Sequence, residues 1–181
     1  MFFWKRNRYA KDIAQKVWPY VYGVKRAERW GGDISPIENP FLLGFIGSSI
    51  HFLLSQYEGR SPTHTDSGNV GVQVFQHCYP EMWKEVAQAD ISYMQKQEPI
   101  YQRGWDAAVI LWALAFGLVG PNQNPTLKRI NESAKTAALH DYIQKNFPSP
   151  PPDNDQSQLL TAVMTRIQEE AEGGPPWDEV E

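Results

Sequence analysis

The sequence predicts an all-α protein, an irregular or orthogonal bundle of about six to seven helices around one buried apolar helix. Three observations favour this class. Apolar residues recur at helical spacing in several segments, no segment other than residues 70–78 alternates between apolar and polar residues as a strand does, and prolines and glycines stand where helices would begin and end. At 181 residues the chain is long enough for one domain with a substantial core.

The first helix is indicated by Ile13, Val17 and Val21, which recur at four-residue spacing and form one apolar stripe. Pro19 falls inside this segment. Because proline lacks an amide hydrogen and clashes with the preceding turn, we expect a kink or a restart there. The two glycines at 31–32 predict the end of the segment.

The second helix is expected over residues 41–57. Pro40 suits the first turn of a helix, and Asn39 before it is a favourable N-cap. Gly59 is the expected stop, because glycine readily adopts the left-handed conformation that ends many helices.

Residues 59–69 are rich in Gly, Ser, Thr, Pro and Asp, and they predict a surface loop in which Asp66 or Ser67 caps the following helix. Residues 70–78 fit two structures. Their valines alternate as in a strand, but apolar residues also repeat at every fourth position as in a helix. A helix is preferred because an isolated strand would have no partner.

The next helix is expected to start at the Pro-Glu pair 80–81, since proline suits the first helical position and an acid there complements the helix dipole. Met82, Val86 and Tyr93 mark its core face, and it should end before Pro99.

The most apolar helix is expected over 105–119. Residues 107–120 contain no polar side chain, so this helix should be enclosed on all sides and end at the Gly-Pro pair 120–121. The run is too short for a membrane span, which needs about 20 residues. We expect the helix over 41–57 to be its neighbour, with close approach at small residues of both helices: Gly44, Ser48, Ala113 and Gly117.

A single helical domain is expected over residues 1–147. Its last helix would begin at the Asn-Pro pair 124–125 and end near Phe147. The prolines that follow predict a stiff linker over 148–154.

A final amphipathic helix is expected over 155–172, on the apolar stripe Leu159, Leu160, Val163, Met164 and Ile167. Glycines and prolines then end it, and residues 173–181 should form an acidic disordered tail. Within this tail, Trp177 is the residue that could anchor in a partner's groove.

The two ends of the chain carry opposite charge. Residues 1–30 hold eight Lys and Arg against two acids, a net charge of +6, together with eight of the 23 aromatic residues. Residues 153–181 hold one Arg against eight acids, a net charge of −7, and the total of −4 hides this polarity. Such asymmetry is the best clue in the sequence to partners, although a solvated basic face and a solubilising acidic tail explain it as well.

We therefore expect a non-enzymatic adaptor or regulatory protein that binds a protein partner, or itself as a homodimer. The predicted partner-binding residues are Lys5, Arg6, Arg8 and Trp177. Nucleic acid is not favoured, because the isoelectric point is about 5.6 and the basic segment is modest. Attachment of residues 1–30 to an anionic membrane surface, with their aromatic rings inserted, is a further alternative.

A cytoplasmic location is the expected one. Cys78 is the single cysteine, which excludes an intrachain disulfide and fits a reducing compartment. The first residues also lack the order of a secretory signal, in which charge precedes a longer apolar run.

The alternative function is a small helical enzyme or ligand-binding protein with a pocket around His51, Glu58 and His77. In such a pocket His51 would act as a base. His51 and Glu58 would be two turns apart, about 10 Å, so they would not touch directly. A tight helix contact or a solvent-facing stripe is the preferred explanation of the same small and polar residues: Gly44, Ser48, His51 and Ser55.

No cofactor and no metal site is indicated. The paired Glu-x-x-His motif of di-iron bundles and the His-Glu-x-x-His motif of zinc proteases are both absent. His140-Asp141 is too short a pattern to define a ligand set. Cys78 next to His77 is better explained as a small buried apolar residue than as a nucleophile.

Overall fold

A computed structural model describes residues 2–25, 35–120, 123–134 and 155–179, and no strand is present in any of these ranges. The all-α bundle predicted from the sequence is confirmed. The helices are α1 Phe2–Lys25, α2 Pro40–Glu58, α3 His64–Cys78, α4 Trp83–Lys96, α5 Pro99–Ala115, α6 with described residues 125–134, and α7 Asp155–Ala171; a short 3₁₀ turn, Pro36–Glu38, precedes α2.

Several predictions fall outside the described residues. These are the end of the first segment at the glycines 31–32, the last part of the helix expected to reach Phe147, the linker 148–154, and His140-Asp141. The predicted division of the chain at residue 147 lies there as well.

The ends of α2 are those that local chemistry predicts. The side-chain oxygen of Asn39 accepts a hydrogen bond from the backbone N–H of Leu42 at 2.9 Å, which satisfies one of the free donors at the helix start. Gly59 ends the helix with φ 65°, in the left-handed region that glycine adopts without steric cost.

The central helix of the bundle is α2. Eleven of its 19 residues are buried, against six of the 17 residues of α5. One side of α5 reaches solvent, where Val109 is 39% exposed. The expectation that the helix over 105–119 is enclosed on all sides is therefore not met, although its pairing with α2 is the most extensive helix contact in the described part of the chain.

α5 ends earlier than expected, at Ala115 instead of Val119. Gly117 adopts φ 68°, and the backbone N–H groups of Gly117 and Leu118 bond back to the carbonyl groups of Leu114 and Ala113 at 3.0 and 2.8 Å. Gly117 thus acts as the C-terminal stop. Leu118 lies beyond it and is 61% exposed, so the apolar run continues past the helix.

The segment expected to be a loop over 59–69 is shorter, because α3 begins at His64. The cap is Thr63, whose hydroxyl accepts from the backbone N–H of Asp66 at 3.1 Å while the Asp66 carboxylate accepts from the N–H of Thr63 at 3.3 Å. These bonds to Thr63 hold the pKa of Asp66 at about 2, with Arg60 and Arg6 contributing. The helix predicted over 70–78 is confirmed.

α4 starts at Trp83, three residues after the expected Pro80, because residues 79–82 form a turn instead of a helix start. Its end before Pro99 is confirmed. Gln97 closes the helix with φ 52°, and its N–H bonds to the carbonyl of Met94.

α1 continues through Pro19 without a restart, and Pro19 itself is exposed. The predicted stripe of Ile13, Val17 and Val21 is completely buried. The helix packs mainly against α3 and α2, and the guanidinium of Arg6 is paired with a carboxylate of α3. None of the described helices is long and apolar enough to cross a membrane.

The chain folds back after α7 instead of forming a disordered tail. Gly173 adopts φ 89° and ends the helix, and Trp177 then returns to the core, where it is 6% exposed. Arg103 of α5 secures this return, since its guanidinium bonds to Glu170 at 3.0 Å and to Asp178 at 2.7 Å. The expectation of disorder is therefore wrong for residues up to 179, because an indole ring and two carboxylates find partners within the chain.

Candidate ligand-binding cavity

A cavity of about 470 Å³ lies among α2, α3, α4 and α5. Glycines on α2 and α3 leave room for it: Gly47, Gly68 and Gly71 all line its wall. Most of the other wall residues are apolar or aromatic, namely Ile50, Val72, Phe75, Ala87, Ile91, Met94, Tyr101 and Trp105. Because Val72, Ile91 and Met94 are exposed, apolar side chains reach from the cavity to the protein surface.

Asp90 of α4 is the acidic group of the cavity wall. The hydroxyl of Tyr101 on α5 donates a hydrogen bond to its Oδ1 at 3.0 Å. The apolar surroundings disfavour the charged form, so burial raises the pKa of Asp90 to about 7, and the bond from Tyr101 offsets only part of this effect. Burial next to this carboxylate also raises the pKa of Tyr101, which therefore stays protonated and remains a donor.

The pair of Asp90 and Tyr101 rests directly on the backbone of α2 at Gly47. A Cβ atom at this position would lie 3.0 Å from the Tyr101 hydroxyl and 3.3 Å from Asp90 Oδ1. A side chain at position 47 would therefore fit tightly, and the hydrogen-bonded pair would have to shift by a few tenths of an ångström to admit it.

His51 of α2 lies on the cavity wall together with Ser67 of α3, and its Nδ1 is 3.3 Å from the Ser67 hydroxyl. The His51 ring also contacts the indole of Trp105, at 6.1 Å between centroids. Burial lowers the pKa of His51, and the nearby His64 lowers it further. His51 is therefore neutral at pH 7.

Only one residue of the predicted trio lies in this cavity. Glu58 forms an ion pair with Arg60 at 2.7 Å, near the end of α2. His77 is exposed in the last turn of α3 and is not part of the cavity wall. His51, Glu58 and His77 therefore do not form a common site, because α2 and α3 point them toward different surroundings. Cys78 is buried, as expected of an apolar residue.

The predicted partner-binding residues are also separated. Arg6 is engaged by Asp66, Arg8 is exposed, and the side chain of Lys5 lies outside the described part of the structure. The prediction that Trp177 binds a partner's groove is corrected by the structure. Trp177 is buried in the chain's own core, and its backbone N–H donates a hydrogen bond to Glu170 at 2.7 Å. An indole in this position is not available as an exposed anchor.

Sequence reasoning missed Asp90, His64, Tyr101 and Trp105 as cavity residues. The signal that could have found Asp90 is its place four residues after Val86, in line with the apolar face of α4. A charged residue on a buried face is unusual and deserves an explanation. His64 was hidden because its segment has the composition of a loop.

The arrangement can hold an apolar molecule and offer it a few polar contacts. Among the described residues, no group of three or more His, Cys, Asp or Glu is arranged to bind a metal ion. No protein-family model, curated protein or solved structure matches the chain, so its chemistry is argued from the residues alone.

Proposed function

We propose that the protein is a non-enzymatic binding protein whose cavity among α2, α3, α4 and α5 takes a small apolar molecule. The observation that supports this most directly is the cavity itself, through its size and the composition of its wall. Its volume of about 470 Å³ falls in the range of roughly 300–1,000 Å³ typical of small-molecule sites. An apolar wall with a few convergent polar groups is the usual form of such a site.

The enzymatic alternative rests on the contact of His51 with Ser67. A serine beside a histidine resembles the start of a nucleophilic relay, which also needs a third group that orients the histidine. His51 makes no hydrogen bond through its other ring nitrogen within the described residues, and Asp90 is engaged by Tyr101. Binding is therefore better supported than catalysis.

The hypothesis of a partner-binding basic end has less support. Arg6 makes an ion pair within the chain, and Trp177 is buried. Two of the four predicted contact residues are therefore engaged inside the protein. Arg8 is exposed and leaves a smaller basic surface for a protein partner. This surface is a second proposal, to be tested without disturbing the fold.

Titration with Nile red, a neutral apolar dye that fluoresces in apolar surroundings, tests the cavity. We expect saturable binding of one dye per chain. Gly71→Leu should weaken it about tenfold or more, because the new side chain fills the cavity while a Cβ at this position makes only an ordinary contact of 3.7 Å with Ile50. Gln76→Leu is the matched control, since it adds the same side chain to an exposed position of α3 outside the cavity.

Thermal unfolding of both variants, followed by circular dichroism, shows whether each is folded. Equal dye binding by the wild type, Gly71→Leu and Gln76→Leu would contradict the proposal. A second cavity-filling change from the opposite wall, Ala87→Leu on α4, keeps the test decisive if Gly71→Leu does not fold.

A further inference from the structure

We infer that the ligand of this cavity is an organic amine, with its protonated nitrogen at Asp90 and its apolar body against Tyr101 and Trp105. This inference rests on the proposed function, because it names the class of ligand for the same cavity. It follows from three properties of the wall: the sign of its charge, the free acceptor on Asp90, and the aromatic rings beside it.

The charge of the wall favours a cation. Asp90 is the one acidic residue among the fifteen that line the cavity, and neither lysine nor arginine is among them. The remaining residues that can carry charge are His51 and His64. Burial lowers the pKa of His51, so it is neutral at pH 7 and does not repel a cation. An anionic ligand would meet the carboxylate of Asp90 without a lysine or arginine on the wall to balance it.

Asp90 keeps acceptor capacity for a ligand. Its Oδ1 accepts the hydroxyl of Tyr101, whereas its Oδ2 accepts no hydrogen bond from any residue in the described ranges. A carboxylate has about four acceptor sites on its two oxygens. An ammonium group donates up to three hydrogen bonds. It would supply both a donor to Asp90 Oδ2 and a positive charge beside the carboxylate.

Aromatic rings complete the site. Tyr101 and Trp105 lie one turn apart on α5 and both line the cavity, with their ring centroids 6.5 Å apart. The face of an indole or phenol ring attracts a cation within about 6 Å of its centre. A carboxylate beside such rings recognises the charged nitrogen and the adjoining CH₂ groups of an amine together.

Three eight-carbon probes with different head groups test this inference: octylamine, 1-octanol and octanoate. Their dissociation constants are measured at pH 8 by displacement of Nile red, since Asp90 is ionised at this pH and an alkylamine is protonated. We expect octylamine to bind at least about tenfold more tightly than 1-octanol, and octanoate to bind most weakly.

Asp90→Asn keeps the size of the side chain and removes its charge. In this variant the ratio of the dissociation constants of 1-octanol and octylamine should fall to about one. Glu85→Gln is the matched control, because Glu85 is an exposed acid on the same helix and does not line the cavity. The ratio should stay at its wild-type value there.

The outcomes separate the two proposals. Absence of saturable Nile red binding would overturn the cavity as a binding site and the amine inference with it. Dye binding with equal affinities for octylamine and 1-octanol, or a preference for octylamine that survives Asp90→Asn, would overturn the amine inference alone and leave the apolar site in place.

Discussion

Gly44 of α2 and Gly104 of α5 bring the backbones of their helices into direct contact. A Cβ atom on Gly44 would lie 2.0 Å from the carbonyl oxygen of Tyr101, and one on Gly104 would lie 2.0 Å from the carbonyl oxygen of Phe41. Neither position has room for a side chain. This crossing holds Tyr101 and Trp105 against α2, so the same two glycines fix the aromatic side of the cavity.

Alanine at either glycine should therefore destabilise the fold. We expect Gly44→Ala and Gly104→Ala each to lower the free energy of unfolding by about 2–4 kcal/mol, because the obstructing atoms belong to the backbone and the helices must move apart. The helix propensity of alanine opposes this by only about 1 kcal/mol. Urea unfolding at equilibrium measures the effect.

Gly68→Ala is the control for these variants. A Cβ at Gly68 meets no atom within 4 Å, so alanine there should stabilise α3 by about 0.5–1 kcal/mol through its higher helix propensity. If Gly44→Ala behaved like Gly68→Ala, the two helices would not be in backbone contact.

The sequence predicted that these two helices pack together, but it did not predict which residues of α5 lie at their crossing. The apolar stripes and Gly44 predicted two packed helices, but the expected partners Ala113 and Gly117 are not the ones at the crossing. Gly104 gave no local signal, because the pairing of two glycines 60 residues apart depends on how the helices cross. Helix ends at Asn39 and Gly59 were predictable, since their chemistry lies within a few residues of the chain.

The cavity could not be predicted for the same physical reason. The position of Asp90 within an apolar face was a signal, but its partner Tyr101 comes from another helix. The burial of Trp177 was not predicted for a related reason. Its acidic, proline-rich surroundings are typical of a disordered tail, and only the tertiary fold brings Arg103 to the carboxylates on either side of it.

The contact of Arg103 with Glu170 and Asp178 should be needed to keep Trp177 buried. Arg103→Lys removes the planar two-pronged contact with Glu170 and should lower stability by about 1–2 kcal/mol. It should also increase quenching of Trp177 by iodide, measured as the difference between chains with and without Trp177→Phe. Arg129→Lys is the control, since Arg129 makes a single bond to the Asp178 carbonyl at an exposed site. Equal quenching in both variants would show that Arg103 does not hold the segment.

Arg6 and Arg8 should differ sharply although both belong to the basic segment. Arg6→Ala removes the cation paired with Asp66 and should lower the free energy of unfolding by about 1 kcal/mol, whereas Arg8→Ala should leave it within about 0.5 kcal/mol of wild type. Thermal unfolding at two salt concentrations measures both changes.

Arg8→Glu is then the suitable charge reversal for pull-down or sedimentation tests of the partner-binding hypothesis, because loss of binding would not reflect a weakened fold. Equal destabilisation by Arg6→Ala and Arg8→Ala would show that the ion pair of Arg6 with Asp66 does not stabilise the fold.

The raised pKa of Asp90 makes the stability of the free protein depend on pH in a defined direction. Between the ordinary value of 3.8 and about 7, the folded chain keeps the proton of Asp90 while the unfolded chain has lost it. The contribution of this group to stability is therefore fully favourable at low pH, falls as the pH rises through this window, and is lost above about pH 7. The difference between the two pKa values corresponds to as much as about 4 kcal/mol.

Asp90→Asn should remove this loss, because the amide stays neutral and its oxygen can still accept the Tyr101 hydroxyl. The gain in unfolding free energy over wild type should be small at pH 4, grow up to about pH 7 and then level off. Urea unfolding at pH 4, 5.5, 7 and 8 traces the curve, with Glu85→Gln as the exposed control. His51, His64 and Tyr101 face the same cavity from α2, α3 and α5 and are shared by the wild type and the variant. A gain that stays constant from pH 4 to pH 8 would show that the carboxyl of Asp90 is as well hydrated in the folded chain as in the unfolded one.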